Sequence, residues 1–206
     1  GDERTHVQNN TREHMIACLD FCRIIKAEYV TVHGGYFEVP PNPLVKKTVG
    51  KGQERIALRK LIPPDEFLKF KKRVLTAFRW FKNEADKRGL VIAIENLHDF
   101  SDFKVRFPIT PEDISECMDF LGNDALITYD SGHGHSTNNT MIDFVRKVGA
   151  HKIAGTHLHD NDKSSDQHLP IYRGTVGFSA FFRDYLENEW SFPLNVEVKN
   201  YKDLVD

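Results

Sequence analysis

The chain has 206 residues, of which 40% are hydrophobic and 28% are charged, and its formal net charge at neutral pH is −2. This composition is typical of a globular protein with a full-sized core, so we expect residues 1–206 to form one soluble domain rather than a disordered chain. The near-neutral charge argues against a dedicated nucleic-acid-binding protein, which usually carries a basic surplus.

No apolar run approaches the roughly 20 residues that a helix needs to cross a bilayer. The first ten residues, GDERTHVQNN, are polar and lack the apolar stretch of a signal peptide. Three cysteines, Cys18, Cys22 and Cys117, are too few and too irregularly spaced for a disulfide scaffold or a zinc ribbon. We therefore expect a cytoplasmic protein that does not contact the membrane.

Strands and helices alternate in the predicted secondary structure. In chain order, we predict a helix over 12–26, a strand over 29–33, a long loop over 36–64, a helix from 65 to a stop at Gly89, a strand over 90–95, a helix from 111 to near 122, a strand over 125–130, a helix over 141–148, a strand over 153–159, a helix over 178–188 and a strand over 194–198. Asp65 and Thr110 are suitable N-caps for their helices, and Thr110 precedes a proline and two acids. Buried strands that alternate with amphipathic helices indicate βαβ units and a parallel sheet.

Polar residues at the ends of the predicted strands favour a barrel among the parallel-sheet folds. Glu95, Asp130, His157 and Glu197 each lie at or near the C-terminal end of a different strand, which in a TIM (β/α)8 barrel is the catalytic face. A doubly wound sheet often has a glycine-rich phosphate turn, and the sequence has none. Five of eight strands are visible. We therefore expect an incomplete barrel that lacks two N-terminal strands and the last strand, either through truncation or because a partner supplies them.

The four residues at the strand ends form a candidate metal site. Three carboxylates and one imidazole suit a hard or borderline divalent ion such as manganese, magnesium, cobalt or zinc. Acids that converge on one barrel mouth would repel each other unless a cation neutralised them. The sequence therefore predicts a divalent ion on Glu95, Asp130, His157 and Glu197.

Further histidines and one aspartate lie close to these ligands in sequence. His133 follows Asp130 by three residues, and His159 lies two residues beyond His157, which places it on the same side of that strand. The remaining members of this second set are His33, Asp166 and His168. We expect these residues to bind further ions or to act as acid–base and orienting groups around the first site.

The motifs, taken together, are similar to those of the xylose-isomerase-like barrel superfamily. The matching segments are Val32-His33-Gly34-Gly35, Ile94-Glu95-Asn96-Leu97, Asp130-Ser131-Gly132-His133, His157-Leu158-His159-Asp160-Asn161, Asp166-Gln167-His168, Gly174 and Val196-Glu197-Val198. The superfamily contains sugar and sugar-phosphate isomerases and epimerases, together with abasic-site nucleases of the endonuclease IV type.

The resemblance implies roles for individual residues. In the isomerase and epimerase branch, the residues that match Glu95, Asp130, His157 and Glu197 hold one metal ion, and the two glutamates also transfer protons. In the nuclease branch, the positions that match His33, His133, Asp166 and His168 help to complete a site for three zinc ions. The chain departs from the nuclease pattern at a further histidine, which would come from an earlier strand.

Three functions remain open at this point. The leading hypothesis is a metal-dependent sugar or sugar-phosphate isomerase or epimerase, with Glu95, Glu197 and His133 as catalytic residues and with His159 and Arg173 in substrate binding. The first alternative is an abasic-site DNA endonuclease with up to three zinc ions, for which residues 46–60 are the obvious local source of basic charge. The second is a non-catalytic barrel that binds a sugar or a protein partner. Self-association is left open.

Overall fold

The computed structural model describes residues 3–39, 61–98, 104–122 and 124–199, and for residues 3–10 it describes the backbone alone. The α-helices are α1 (Glu3–Ile24), α2 (Pro64–Asp86), α3 (Pro111–Leu121), α4 (Ser131–Ser136), α5 (Met141–Val148) and α6 (Phe178–Glu187). The strands are β1 (Tyr29–Val32), β2 (Gly35–Glu38), β3 (Val91–Glu95), β4 (Lys104–Phe107), β5 (Leu126–Asp130), β6 (Ile153–Leu158) and β7 (Leu194–Val196).

The main sheet has five parallel strands in the order β1-β3-β5-β6-β7. Consecutive strands of this sheet are joined through helices, which is the βαβ connection of a (β/α) barrel. The predicted fold class is therefore confirmed. The described residues form about half of such a barrel.

Helices cover the outer face of this sheet. Helix α2 buries one face, including Phe70, Val74 and Phe78, against strands that are themselves apolar, such as Ile92 and Ile94 of β3. Spacings of three and four residues place these side chains on one side of the helix, and their burial supplies much of the driving force for folding. The tryptophan and phenylalanines of α2 thus serve ordinary packing.

A β-bulge in β6 aligns the site-bearing residues. Ile127 of β5 pairs with Ile153, whereas the next residue, Thr128, pairs with Gly155, so β6 carries one extra residue. A bulge of this kind changes the direction in which later side chains point. Beyond it, Asp130 pairs with His157, and the two predicted ligands lie side by side.

A second, two-stranded antiparallel sheet corrects one prediction. Strand β2 pairs with β4, with Tyr36 opposite Arg106. The prediction of a loop over 36–64 is therefore wrong at its start, and its central part, 40–60, lies outside the described residues. Four-residue strands whose partners are almost 70 residues away leave little periodic signal in the sequence.

Several predicted boundaries also shift. Helix α1 begins at Glu3 rather than at residue 12, and α2 begins at Pro64 after an N-cap at Pro63 rather than at Asp65. Strand β7 ends at Val196, so Glu197 follows the strand directly. In contrast, Thr110 is the N-cap of α3 as predicted, and it forms a capping box with Asp113.

The strands curve into a trough whose inner face carries polar contacts. The hydroxyls of Thr31 and Thr128 lie 2.9 Å apart. Asn195 of β7 donates a hydrogen bond of 3.4 Å to the hydroxyl of Tyr29 in β1, across the width of the sheet. The first and last strands of the five therefore approach each other inside the trough.

No helix among the described residues combines the length and apolar character of a membrane span.

Candidate metal centre

The four predicted metal ligands lie together at the carboxyl ends of the strands. Glu95, Asp130 and His157 each offer a ligand atom within 4.8 Å of the other two. The Nδ1 atom of His157 is 3.2 Å from an oxygen of Glu95 and 3.2 Å from an oxygen of Glu197. The backbone N–H of Glu197 donates to the carbonyl of Leu158, which fixes this residue beside β6.

Asp130 is held by contacts on three sides. Its carboxylate accepts a hydrogen bond of 2.7 Å from the backbone N–H of His133, which makes it the N-cap of α4. The side chain of Asn96 pairs with the backbone of Asp130 in both directions, at 2.9 and 3.1 Å. His159 Nε2 lies 3.0 Å from the same carboxylate. Because Asp130 is fully buried, these partners fix the position of its charge.

A second group of side chains lies beside the first. Asp166 is 3.5 Å from His133 Nε2 and 3.2 Å from His168 Nε2. The rings of His159 and His168 stack at a centroid distance of 3.9 Å with an interplanar angle of 6°. The pairing of Asp160 with Leu169 closes the loop that returns Asp166 and His168 to the mouth of the trough.

His33 completes the set at the outer edge. It follows β1, and its Nε2 atom lies 3.0 Å from an oxygen of Glu95, although its side chain is 63% exposed. All five residues of the predicted second set, His33, His133, His159, Asp166 and His168, therefore lie in or next to the cluster that holds the four predicted ligands.

Gly132 is required by the packing around His159. A Cβ atom at this position would lie 2.1 Å from a carbon of the His159 ring, so a larger residue would displace the imidazole. The Asp130-Ser131-Gly132-His133 motif thus contains a candidate metal ligand, Asp130, and a glycine that leaves space for the ring of His159.

The electrostatics of the cluster favour a cation. Burial opposes the ionisation of Glu95 most strongly, yet hydrogen bonds from His157 and His33 outweigh it and lower the pKa of this carboxyl to about 2. Burial likewise disfavours a charged His133, but nearby carboxylates raise the pKa of its imidazole to about 9. The two shifts show that the carboxylates and imidazoles of this cluster stabilise each other's charges. The carboxylates therefore require a positive charge beside them, which a bound cation can also supply.

Two buried polar atoms support the same conclusion. His159 Nδ1 and Asp166 Oδ1 have no hydrogen-bond partner among the described residues. A buried group without a partner costs free energy, and a bound ion is one way to remove that cost. These carboxylates and imidazoles are donors that divalent metals bind, and Glu95, Asp130 and His157, with Glu197 beside His157, form one of the groups that could hold an ion.

A cavity of about 240 Å³ opens onto this cluster. Its lining comprises His33, Glu95, Leu97, His98, Arg106, His133, His157, Asp166, His168 and Glu197. Two of these, His98 and Arg106, were not predicted from the sequence. His98 follows Glu95 by three residues, and this proximity to a predicted ligand was the available signal.

The remaining predicted substrate-binding residues lie elsewhere. His159 is fully buried behind the cavity, and the structure pairs it with Asp130 rather than with the open space. Arg173 is exposed in the loop before α6 and does not belong to the lining of this cavity. Its role in substrate binding stays a prediction.

The fold and the site define a (β/α) barrel with carboxylates and imidazoles gathered at its mouth. The family model described as "xylose isomerase-like TIM barrel" matches residues 1–206, and the chain belongs to that family. It spans about two fifths of a curated relative, the uncharacterized protein MJ1311 of Methanocaldococcus jannaschii, with 29% identity over 124 residues, which are 59% of this chain and 41% of that protein.

Several solved structures share the fold. A D-tagatose 3-epimerase-like protein superposes with a TM-score of 0.70 and 23% identity, over 99% of this chain and 68% of that chain. The 3-keto-D-glucoside 4-epimerase YcjR from E. coli gives a TM-score of 0.70 at 14% identity, over 100% of this chain and 70% of that chain. The IOLI protein, solved with a binding zinc atom, gives 0.63 at 17% identity, over 98% and 64%.

Proposed function

We propose that this chain is the metal-binding part of a sugar or sugar-phosphate isomerase or epimerase that works by proton transfer at a carbon next to a carbonyl. The observation that carries the proposal is the placement of two carboxylates. Glu95 and Glu197, which come from strands that do not pair with each other, both lie 3.2 Å from His157 Nδ1 and both line the cavity.

The two glutamates are suited to opposite halves of such a reaction. Glu95 is 2% exposed and its carboxylate lines the cavity, where it can accept a proton from carbon. Glu197 is 47% exposed and its carboxylate lies 3.2 Å from the same nitrogen of His157, so it is a second carboxylate in the cavity that can return a proton to the opposite face or to the neighbouring carbon.

The metal would be held by Glu95, Asp130, His157 and Glu197. When bound, a divalent ion supplies electrostatic stabilisation for the negative oxygens of an enediolate. His133 lines the same cavity and can donate a hydrogen bond to a substrate hydroxyl. We also propose that Arg173 binds a hydroxyl or phosphate group of the substrate. The protein therefore needs a divalent metal as its cofactor and a small sugar or sugar phosphate as its partner.

The structural neighbours include proteins whose names refer to sugar epimerases. Two of the structural neighbours are described as sugar epimerases or as similar to one, and another was solved with zinc. Their sequence identity to this chain is below 25%, so they support a shared fold, and the geometry of the two glutamates is what extends the proposal to the reaction.

The decisive experiment measures carbon-bound deuterium. Candidate ketoses are incubated in deuterated water with the protein and Mn²⁺, Mg²⁺, Co²⁺ or Zn²⁺, and incorporation next to the carbonyl is followed by proton NMR. Glu197→Gln should lower the rate of incorporation by about 10²- to 10⁴-fold, whereas Glu187→Gln, which changes an exposed glutamate on α6, should leave the rate unchanged. Incorporation at the wild-type rate in Glu197→Gln would contradict the assigned role.

A second candidate function is metal-assisted hydrolysis of abasic DNA. It is favoured by overlapping metal-ligand groups beside the main one, namely His98 with His133 and Asp166, and His159 with Asp166 and His168. Several ions could activate water and neutralise the leaving oxygen. The basic segment 46–60 lies outside the described residues.

Elemental analysis separates these functions. Three zinc ions per chain, together with nicking of an abasic duplex, favour the nuclease, and nucleic acid would then be the partner. One manganese or magnesium ion favours the isomerase. No bound metal under any condition would favour a non-catalytic barrel that binds a sugar or another protein.

A further inference from the structure

The small antiparallel sheet places a permanent positive charge at the cavity. In β4, Val105 and Phe107 are buried at 1% and 0% exposure, whereas Lys104 and Arg106 alternate with them and lie on the opposite face. Arg106 belongs to the lining of the 240 Å³ cavity that contains Glu95 and Glu197. Its placement follows from the period of the strand.

The backbone around Arg106 is fixed to the metal-binding side of the cavity. The N–H of Leu97, just beyond the end of β3, donates a hydrogen bond of 2.9 Å to the carbonyl of Pro108. Gly34 passes so close to this strand that a Cβ atom there would lie 2.0 Å from the carbonyl oxygen of Phe107. The turn after β1 and the loop after β3 therefore both contact the end of β4, the strand that carries Arg106.

The charge of Arg106 differs in kind from the rest of the lining. Among the lining residues that the structure describes, the ionisable side chains other than Arg106 are three carboxylates and five imidazoles. A guanidinium remains charged at any pH at which the protein is folded, and its planar fork of donors matches a carboxylate or phosphate group.

We infer that Arg106 is a specificity-determining residue that binds an anionic group of the substrate in this cavity. The substrate class is then a sugar phosphate or a sugar acid rather than a neutral sugar. The link to an isomerase or epimerase reaction rests on the proposed function, whereas the selection for an anion can be measured by binding alone.

The test compares three ketoses that differ at one carbon. D-fructose, D-fructose 6-phosphate and D-fructuronate are titrated into the chelator-treated protein and into the Mn²⁺-loaded protein, and dissociation constants are measured by ligand-observed NMR. We expect at least one of the two anions to bind more tightly than fructose in both states. Arg106→Met should weaken anion binding by about 10- to 100-fold, the range for a charged hydrogen-bonded pair, and should leave fructose unchanged.

Two variants keep this test interpretable. Arg106→Lys retains the charge but not the fork, so it should recover part of the anion affinity. Lys104→Met removes the neighbouring cation of the same strand face, whose ammonium lies over the Tyr36 ring, and should leave all three affinities unchanged. Circular dichroism and thermal melting establish that each variant is folded.

The outcomes are distinct. Tighter binding of the phosphate identifies a sugar phosphate, and tighter binding of the carboxylate identifies a sugar acid. The inference is overturned if neither anion binds more tightly than fructose, or if Arg106→Met weakens all three ligands equally. Anion binding that depends on Arg106 without deuterium exchange in the proton-transfer assay would refute the proposed reaction and leave this inference standing.

Discussion

The candidate site has a deep half and a shallow half that are built differently. The side chains of the deep half, Glu95, Asp130, His133 and His159, are between 0 and 6% exposed. Those of the shallow half, His33, His157 and Glu197, are between 26 and 63% exposed. Both halves contribute predicted metal ligands.

The difference comes from the position of the strands. Strands β3 and β5, which deliver Glu95 and Asp130, have a neighbouring strand on each side, whereas His33 and Glu197 follow β1 and β7, the edge strands of the described sheet. His157 lies on β6, directly beside the exposed edge strand β7. Removing the partner of a buried charge costs stability, whereas an exposed charge that loses its partner is solvated by water. We therefore expect substitutions in the deep half to lower stability, and substitutions in the shallow half to lower activity with little effect on stability.

The largest expected effect is on activity in the shallow half. Glu197→Gln should lower the rate of deuterium incorporation by about 10²- to 10⁴-fold, which is the usual contribution of one acid–base group. Because Glu197 is about half exposed, the free energy of unfolding should change by no more than about 0.5 kcal/mol. Denaturant titration checks the second value. A much larger loss of stability would erase the proposed difference between the halves.

The deep half should respond in stability. Asp130→Ala removes the buried partner of His159 and the cap of α4, and it should lower the free energy of unfolding by about 3–5 kcal/mol. Asp130→Asn keeps a capping side chain and should lose less stability than Asp130→Ala. Its metal affinity should nevertheless be lower than that of the wild type, because the negative charge of the ligand is gone. Unfolding curves and metal content are measured in parallel for both variants. Wild-type stability and wild-type metal content in both variants would contradict this expectation.

Metal binding should stabilise the whole chain. A divalent ion present at 100 times its dissociation constant adds about 2.7 kcal/mol to the stability of the folded state, provided that the unfolded chain does not bind it. Thermal melting with each of the four candidate ions, and after addition of a chelator, measures this change. The shift should disappear in Asp130→Asn. A melting temperature that no ion alters would refute the metal centre.

The smallest effect is expected far from the site. Thr110→Ala removes the capping box of α3 and should cost about 1 kcal/mol of stability. Because α3 lies in the outer helical layer, the metal affinity should not change. A calorimetric titration of the variant provides the control for the two site substitutions, since a drop in affinity here would mean that any loss of stability weakens metal binding.

Sequence patterns predict the part of this molecule that repeats. The five strands of the main sheet and the helices between them follow from apolar periodicity, and the four predicted ligands follow from their positions at strand ends. The gathering of Glu95, Asp130 and His157 within 4.8 Å agrees with that reasoning. Barrel geometry makes this step dependable because parallel strands end at the same face.

The rest depends on contacts that no local pattern encodes. Strands β2 and β4 have four residues each and become a sheet only by pairing across the chain, which is why Arg106 could not be assigned to the cavity in advance. Helix α4 is a six-residue helix capped by Asp130, too short to show a helical period. Two residues predicted to bind substrate do not line the cavity for a similar reason. The position of Arg173 depends on the path of a loop, and that of His159 depends on burial against its neighbours, and neither is encoded by a local pattern.

The contact between Tyr29 and Asn195 has a consequence for any strand that joins the two edges of the sheet. Together with the Thr31 and Thr128 pair, it fixes the arc of the five strands from the concave side. The curvature of the five strands is therefore present before another strand pairs with them. Pairing of that strand would cost little conformational entropy in the five strands themselves. The mouth that gathers the ligands is thus preshaped by hydroxyl and amide groups at its floor.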